Sequence, residues 1–207
     1  GRRTDLAGLN NAGVLSEDAS RALVANMLAD GSTEIVEQVL ATGTQRVVAP
    51  HPKSDFLATY SPDGTLILFN SYRSGKSDIY IVSRAGGEPV RLTDFEGYDA
   101  HADFAPDMSR IVFHRNIGGD DYDIYQIDFK TKAVSALITG AGEQAYPAWS
   151  PDGRSIAYVS NSGGASGQND IFVARSDGAA PLRLTHEPGQ KAYPSWASDG
   201  RYLYFND

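Results

Sequence analysis

The 207-residue chain contains no cysteine, which removes disulfides, thiolate metal sites and a cysteine nucleophile from consideration. No apolar run approaches the roughly 20 residues of a membrane-spanning helix, and the N-terminus lacks the charged-then-apolar pattern of a signal peptide. Gly1 rather than Met opens the chain, as in a mature or trimmed product. Positive charge is scarce: 18 Lys and Arg face 26 Asp and Glu, a formal net charge of −8. A nucleic-acid surface or an anionic membrane is therefore repelled in general. No segment carries a long 3.6-residue apolar period, and no Gly-x-Ser-x-Gly elbow offers a hydrolase nucleophile. There remains an ordinary globular composition, 41% hydrophobic and 21% charged, long enough to bury a sizeable core as one domain.

The chain repeats itself. "LSEDA" at Leu15 to Ala19, "YSPDG" at Tyr60 to Gly64, "FAPDM" at Phe104 to Met108, "WSPDG" at Trp149 to Gly153 and "WASDG" at Trp196 to Gly200 are variants of one turn. Their second residues, Ser16, Ser61, Ala105, Ser150 and Ala197, step by 45, 44, 45 and 47 residues, close to the length of one four-stranded propeller blade. Each unit runs in the same order: a short strand, the turn, an apolar run such as "TLILFNS" or "RSIAYVS", a polar loop, a third strand such as "DIYIVS", a second turn, and a strand ending in "RLT". Proline presets φ at the first central turn position, and Asp and Gly tolerate the remaining turn geometry. β-branched and aromatic residues dominate the runs, so the expected class is all-β.

From Glu34, Asp78, Asp123 and Asp170, which open the third strands, the distance to the next turn is always 27 residues. Length variation is confined to "YRSGKS", "NIGGDDY" and "NSGGASGQN", between the second and third strands. Because strands alternate in direction, those variable loops share one face with the connections that lead from each fourth strand to the next first strand. That loop face is the expected place for recognition. The opposite face holds the stereotyped turns.

Repeats reading "YPxWSPDGRxIAYxSN" and "DIYxxxxxGGxPxRLT" resemble the TolB-type (WD40-like) β-propeller repeat family, most closely from Asp55 to Asp207. The resemblance implies a β-propeller of four-stranded antiparallel blades, about four of them complete, with partial terminal strands, as part of a six-bladed ring. As one propeller segment spanning 1–207, the expected blades are 10–49, 55–93, 99–139, 145–185 and a partial 192–207. Thr4 aligns with Thr93 and Thr185, which makes Arg2 to Thr4 the tail of a fourth strand. In a chain truly this short, open edge strands would be expected to pair with another molecule.

Candidate contact residues lie at the fourth-to-first connections and strand starts: Asn10, Asn11 and Asp55; then Glu96, Tyr98, Asp99 and His101; then Glu143, Gln144 and Tyr146; then Glu187, Lys191 and Tyr193. In "YDAHADF" the period-two rule puts Asp99, His101 and Asp103 on one side of a strand, a weak candidate metal or acid/base cluster. The residues equivalent to His101 are Ala12, Leu57, Tyr146 and Tyr193, and a histidine in place of tyrosine favours packing. The carboxylates of "GGDDYD" read as a solvated acidic turn, without the order of a calcium loop. Repetition of Asp78, Asp123 and Asp170, and of Asp63, Asp107, Asp152 and Asp199, marks structural hydrogen bonds. Trp149, Trp196, Tyr60 and Phe104 read as packing between blades.

No catalytic residue and no cofactor is assigned, and the sequence favours a non-catalytic module that binds a protein or peptide on the loop face. The family resemblance implies a periplasmic location and a cell-envelope lipoprotein among the partners, with no nucleic acid and no membrane insertion. The alternative is the propeller of a larger enzyme, a prolyl-oligopeptidase-type serine peptidase or a metal-dependent oligogalacturonate-lyase-like protein. A purely structural array is the third reading.

Overall fold

A computed structural model describes residues 13–119, 121–162 and 168–207. The chain divides into two compact units, 1–91 and 92–207. In the first, β1 (Val14–Leu15), β2 (Arg21–Met27), β3 (Thr33–Val39) and β4 (Gln45–Val47) form one antiparallel sheet. A second comprises β5 (Asp55–Tyr60), β6 (Leu66–Ser71), β7 (Asp78–Ser83) and β8 (Val90–Arg91). The second unit begins with β9 (Tyr98–Phe104), β10 (Arg110–Gly118), β11 (Asp121–Asp128) and β12 (Val134–Ile138). It continues with β13 (Gln144–Trp149), β14 (Ser155–Ser160), β15 (Asp170–Arg175) and β16 (Leu182–Arg183), then the pair β17 (Ala192–Trp196) and β18 (Leu203–Asn206). Every sheet is a meander of neighbours in sequence, and no helix occurs among the described residues. The fold class is therefore all-β, built of propeller blades.

Sheets pack face to face inside each unit. In the first, Leu23, Ile35 and Val48 meet Ile67, Phe69 and Val82. In the second, Val112, Ile124 and Ile138 meet Trp149, Ile156 and Phe172, which bears out the packing role read for Trp149. Middle strands such as β6 and β14 are covered on both faces, so their sequences read as unbroken apolar runs rather than alternating ones. Each fully buried Ile or Phe contributes about 1.5–3 kcal/mol.

The repeated turns close by one hydrogen-bond scheme. In the second sheet the Ser61 Oγ–H and the Thr65 N–H donate to Asp63 Oδ1, while Gly64 N–H donates to the Ser61 carbonyl. Asp18, Asp107 and Asp152 accept similar bonds, and those bonds hold all four carboxyls below the usual range, Asp18 at about 2. The last turn position is left-handed throughout: φ is +67°, +69° and +69° at Gly64, Gly153 and Gly200, but also +51° at Ala19 and +58° at Met108. Two turns therefore carry a side chain where glycine fits without strain. Replacing exposed Ala19 with Gly should raise stability by about 0.5 kcal/mol, and Gly153→Ala should lower it by about 1 kcal/mol. Urea unfolding midpoints read both, and a loss of stability in Ala19→Gly would contradict the account.

Candidate functional site

The first strands of four sheets share one irregularity. In β5 the pair Leu57 and Ala58 stands opposite Phe69 alone, and in β9 His101 and Ala102 stand opposite Phe113. In β13 Tyr146 and Pro147 oppose Tyr158, and in β17 Tyr193 and Pro194 oppose Phe205. The leading residue of each bulge is left-handed, with φ of +51°, +54°, +54° and +52° at Leu57, His101, Tyr146 and Tyr193. Such a conformation in a bulky residue costs on the order of 1–3 kcal/mol, so it persists only where its surroundings fix it. Each bulge re-aims one side chain out of the regular pleat.

In the second unit these re-aimed side chains meet. The His101 ring lies 4.6 Å from that of Tyr146 and 5.7 Å from that of Tyr193, and the two tyrosine rings are 4.6 Å apart. His114, from β10, joins at 4.8 Å from His101 and 5.4 Å from Tyr146, with Tyr122 5.2 Å and Tyr98 6.2 Å beyond it. The Tyr146 N–H donates to His114 Nδ1 at 3.2 Å, which puts the proton of neutral His114 on Nε2. That proton faces His101 Nδ1 at 3.4 Å, so His101 carries its own on Nε2. His101 Nε2 is buried and has no hydrogen-bond partner among the described residues. Burial drives the His101 pKa down to about 4, and burial together with His101 holds His114 well below its usual value. Both rings are uncharged at neutral pH. Burial first, then Tyr193 and Glu143, raises the Tyr146 phenol above its usual range.

The bulge breaks the period-two alternation on which the Asp99, His101 and Asp103 cluster rested. Asp99 is fully buried, both of its oxygens taken by Arg115 at 2.7 and 2.9 Å. Asp103 Oδ2 instead accepts from the Trp149 N–H at 2.8 Å. Among the described residues no three His, Asp or Glu are grouped to hold a metal ion. The other candidates at the same strand-start position are buried too. Asp55 pairs with Arg73 at 2.9 Å, Gln144 Nε2 donates to the Ala141 carbonyl at 3.4 Å, and Lys191 donates to Asp207 at 2.5 Å. Tyr193 is 50% exposed, Glu96 and Glu187 are exposed, and Tyr98, Glu143 and Tyr146 are partly buried. Asn10 and Asn11 lie outside the described residues.

The loop face is recognisable in each unit. In the second, the backbone at Tyr122, after the second-to-third loop, pairs in parallel with Glu143 of the next connection. In the first, Thr33 N–H donates to Ser54 Oγ across the corresponding pair, beside a polar groove of about 490 Å³ lined by Asp30, Lys53, Tyr72 and neighbouring residues. "GGDDYD" is less of a loop than its composition suggests, because Asp121 and Asp123 already belong to β11. The repeated aspartates are structural as read: Asp78 pairs with Arg91 at 2.7 Å, Asp170 with Arg183 at 2.6 Å, and Asp123 accepts from the Gly140 N–H. Tyr122 is not marked by first strands and connections, and His114, like His51 and His186, sits in the sequence as a histidine scattered among different blade positions. Comparing second strands would have flagged His114, since "IVFHR" carries the aromatic ring where "ILFNS" has asparagine and "IAYVS" has valine.

Repeated four-stranded antiparallel sheets, each a meander, define the class as a β-propeller protein. The profile of the "TolB beta propeller domain" matches residues 3–137, and the chain belongs to that family. The "Dipeptidyl peptidase IV (DPP IV) N-terminal region" also matches, over residues 106–199. An uncharacterized protein of Agrobacterium fabrum is 32% identical over 126 residues, 60% of this chain and 41% of that protein. The Tol-Pal system protein TolB of Francisella tularensis subsp. mediasiatica is 30% identical over 80 residues, 38% of this chain and 18% of that one. The crystal structure of TolB from Acinetobacter baumannii superposes with a TM-score of 0.74 at 26% identity, covering 88% of this chain and 45% of that one. The chain thus spans less than half the length of these relatives. Oligogalacturonate lyase in complex with manganese, at 14% identity and a TM-score of 0.71 over 94% of this chain and 61% of that one, shares the fold alone.

Asp103, partly buried beneath the Trp149 backbone, offers a direct test of this arrangement. Burial raises its pKa from 3.8 to about 6 against the bonds from Trp149 and Phe104, so the folded protein holds that proton more tightly than the unfolded chain. The associated stability is present below about pH 4 and lost as pH rises through 6. Asp103→Asn keeps an acceptor for Trp149 and cannot ionise. Its stability relative to the parent should rise between pH 4 and 7 by about 2 kcal/mol, measured by urea unfolding at both values. A pH-independent difference would refute the assignment.

Proposed function

We propose that the chain is a non-catalytic binding module that takes a protein or peptide on its loop face. The observation that carries this reading is the cluster around His101, Tyr146 and Tyr193, in which aromatic rings are presented on rigid strands and one of them is half exposed. Tyrosine on a stiff scaffold supplies contact area at small entropic cost, the pattern of an anchor residue in an interface. Both histidines are neutral and tied to each other or to backbone, which suits packing and hydrogen bonding better than proton transfer. Family membership and the likeness to the Tol-Pal system protein extend the reading to the cell envelope, with a periplasmic location and a lipoprotein among the partners.

A second reading, the propeller part of a larger peptidase, draws support from the match of residues 106–199 to the DPP IV N-terminal region. An α/β-hydrolase domain encoded in the same gene would favour it.

The binding reading is tested by capture from cell-envelope extract on immobilised parent and on a Tyr193→Ala, Glu96→Lys double variant, both sites being exposed. Proteins held by the parent and lost by the variant, identified by mass spectrometry and rebound in purified form, are the expected result. Equal capture by both would remove the loop face of the second unit from consideration.

A further inference from the structure

Charge around the ring cluster is lopsided. Two cations flank the strand starts of the second unit, Arg115 on β10 opposite Asp99 and Lys191 just before β17; both are buried and each is committed to a carboxylate, Asp99 and Asp207. His101 and His114 are uncharged. Against them stands Glu143, with one oxygen taken by Asn169 and with its charge felt at the Tyr146 phenol. Asp121 adds a buried Oδ1 with no hydrogen-bond partner among the described residues.

The sheet that supplies His101 also lacks a countercharge that the preceding and following repeats of the sequence have. Asp78 and Asp170 each meet an arginine from the fourth strand, Arg91 and Arg183, which are in register with Tyr80 and Phe172. The corresponding register partner, opposite Tyr125, is Ala136. Asp123 therefore has a backbone N–H in place of a cation, and burial, together with the neighbouring Asp121 charge, raises its pKa. An uncompensated acidic patch beside electron-rich tyrosine faces is complementary to a desolvated cation and repels a carboxylate.

We propose that the loop face of the second unit takes a Lys- or Arg-bearing peptide segment. Its cationic head seats against Tyr146 and Tyr193 beside Glu143, and a main-chain carbonyl of the same segment accepts from His101 Nε2. His101 Nε2 is covered in the free chain, so the segment reaches it through a side-chain adjustment of the kind common at interfaces. The proposal rests on the binding reading above and names the chemistry of the partner.

The test is a randomised peptide library displayed on phage, selected on the full chain and counter-selected on Tyr193→Ala and, separately, on Glu143→Gln. Lys and Arg should be enriched in peptides that both variants lose, and replacing the arginine of a synthetic representative by citrulline should weaken its Kd by about tenfold. Raising salt should weaken it further. Peptides that depend on Tyr193 but show no cationic enrichment, or that bind the citrulline form equally, overturn the cationic anchor while leaving the binding face intact. If no selected peptide depends on either residue, this proposal falls, whereas the capture experiment on Tyr193→Ala, Glu96→Lys judges the broader reading independently.

Discussion

The left-handed bulge in each first strand is the constraint on which the rest of the arrangement depends. A regular strand would send residues 99, 101 and 103 to one side. One extra residue opposite Phe113 separates them instead, and turns His101 toward Tyr146 and Tyr193. The same device occurs at Leu57 in the first unit, where the side chain is aliphatic. Buried aromatic residues opposite three of the bulges, Phe69, Phe113 and Tyr158, supply the packing that holds these strained positions. The fold thus fixes four display positions, and the sequence decides what each displays.

Two residues before each display position sits a buried polar group: Asp55, Asp99, Gln144 and Lys191. Asp99 with Arg115 and Lys191 with Asp207 are the same pairing with the charges exchanged. The Asp99–Arg115 pair is buried on both sides, whereas Asp207 is exposed; a buried pair adds little net stability over an apolar one, but removal of one partner is costly, so it fixes geometry more than it strengthens the fold. Their further consequence is electrostatic. Each commits a cation to a carboxylate, so neither Arg115 nor Lys191 brings an unpaired charge to the ring cluster.

Much of the fold was legible in the sequence because a repeat multiplies every weak signal. Turn chemistry at Tyr60 to Gly64 and Trp149 to Gly153, and the constant run from each third strand to the next turn, locate sheets that no single segment could have located. Tyr146 and Tyr193 were legible as candidates for the same reason. The bulge was not. Alternation is a rule about regular strands, and nothing in "YDAHADF" marks the extra residue. Asp99 and Lys191 consequently read as rim residues although both are buried. His114 and Tyr122 were missed because their role arises from contacts across neighbouring strands and, for His114, with Tyr146 of the next sheet, which the periodicity of one strand does not encode.

The central claim is that the bulges bring His101, Tyr146 and Tyr193 together as one ring cluster. Nuclear Overhauser contacts between the assigned imidazole protons of His101 and the ring protons of Tyr146 measure this most directly. At a centroid separation of 4.6 Å strong cross-peaks are predicted. Their absence in the folded protein, with His101 instead close to Asp99 and Asp103, would contradict the account.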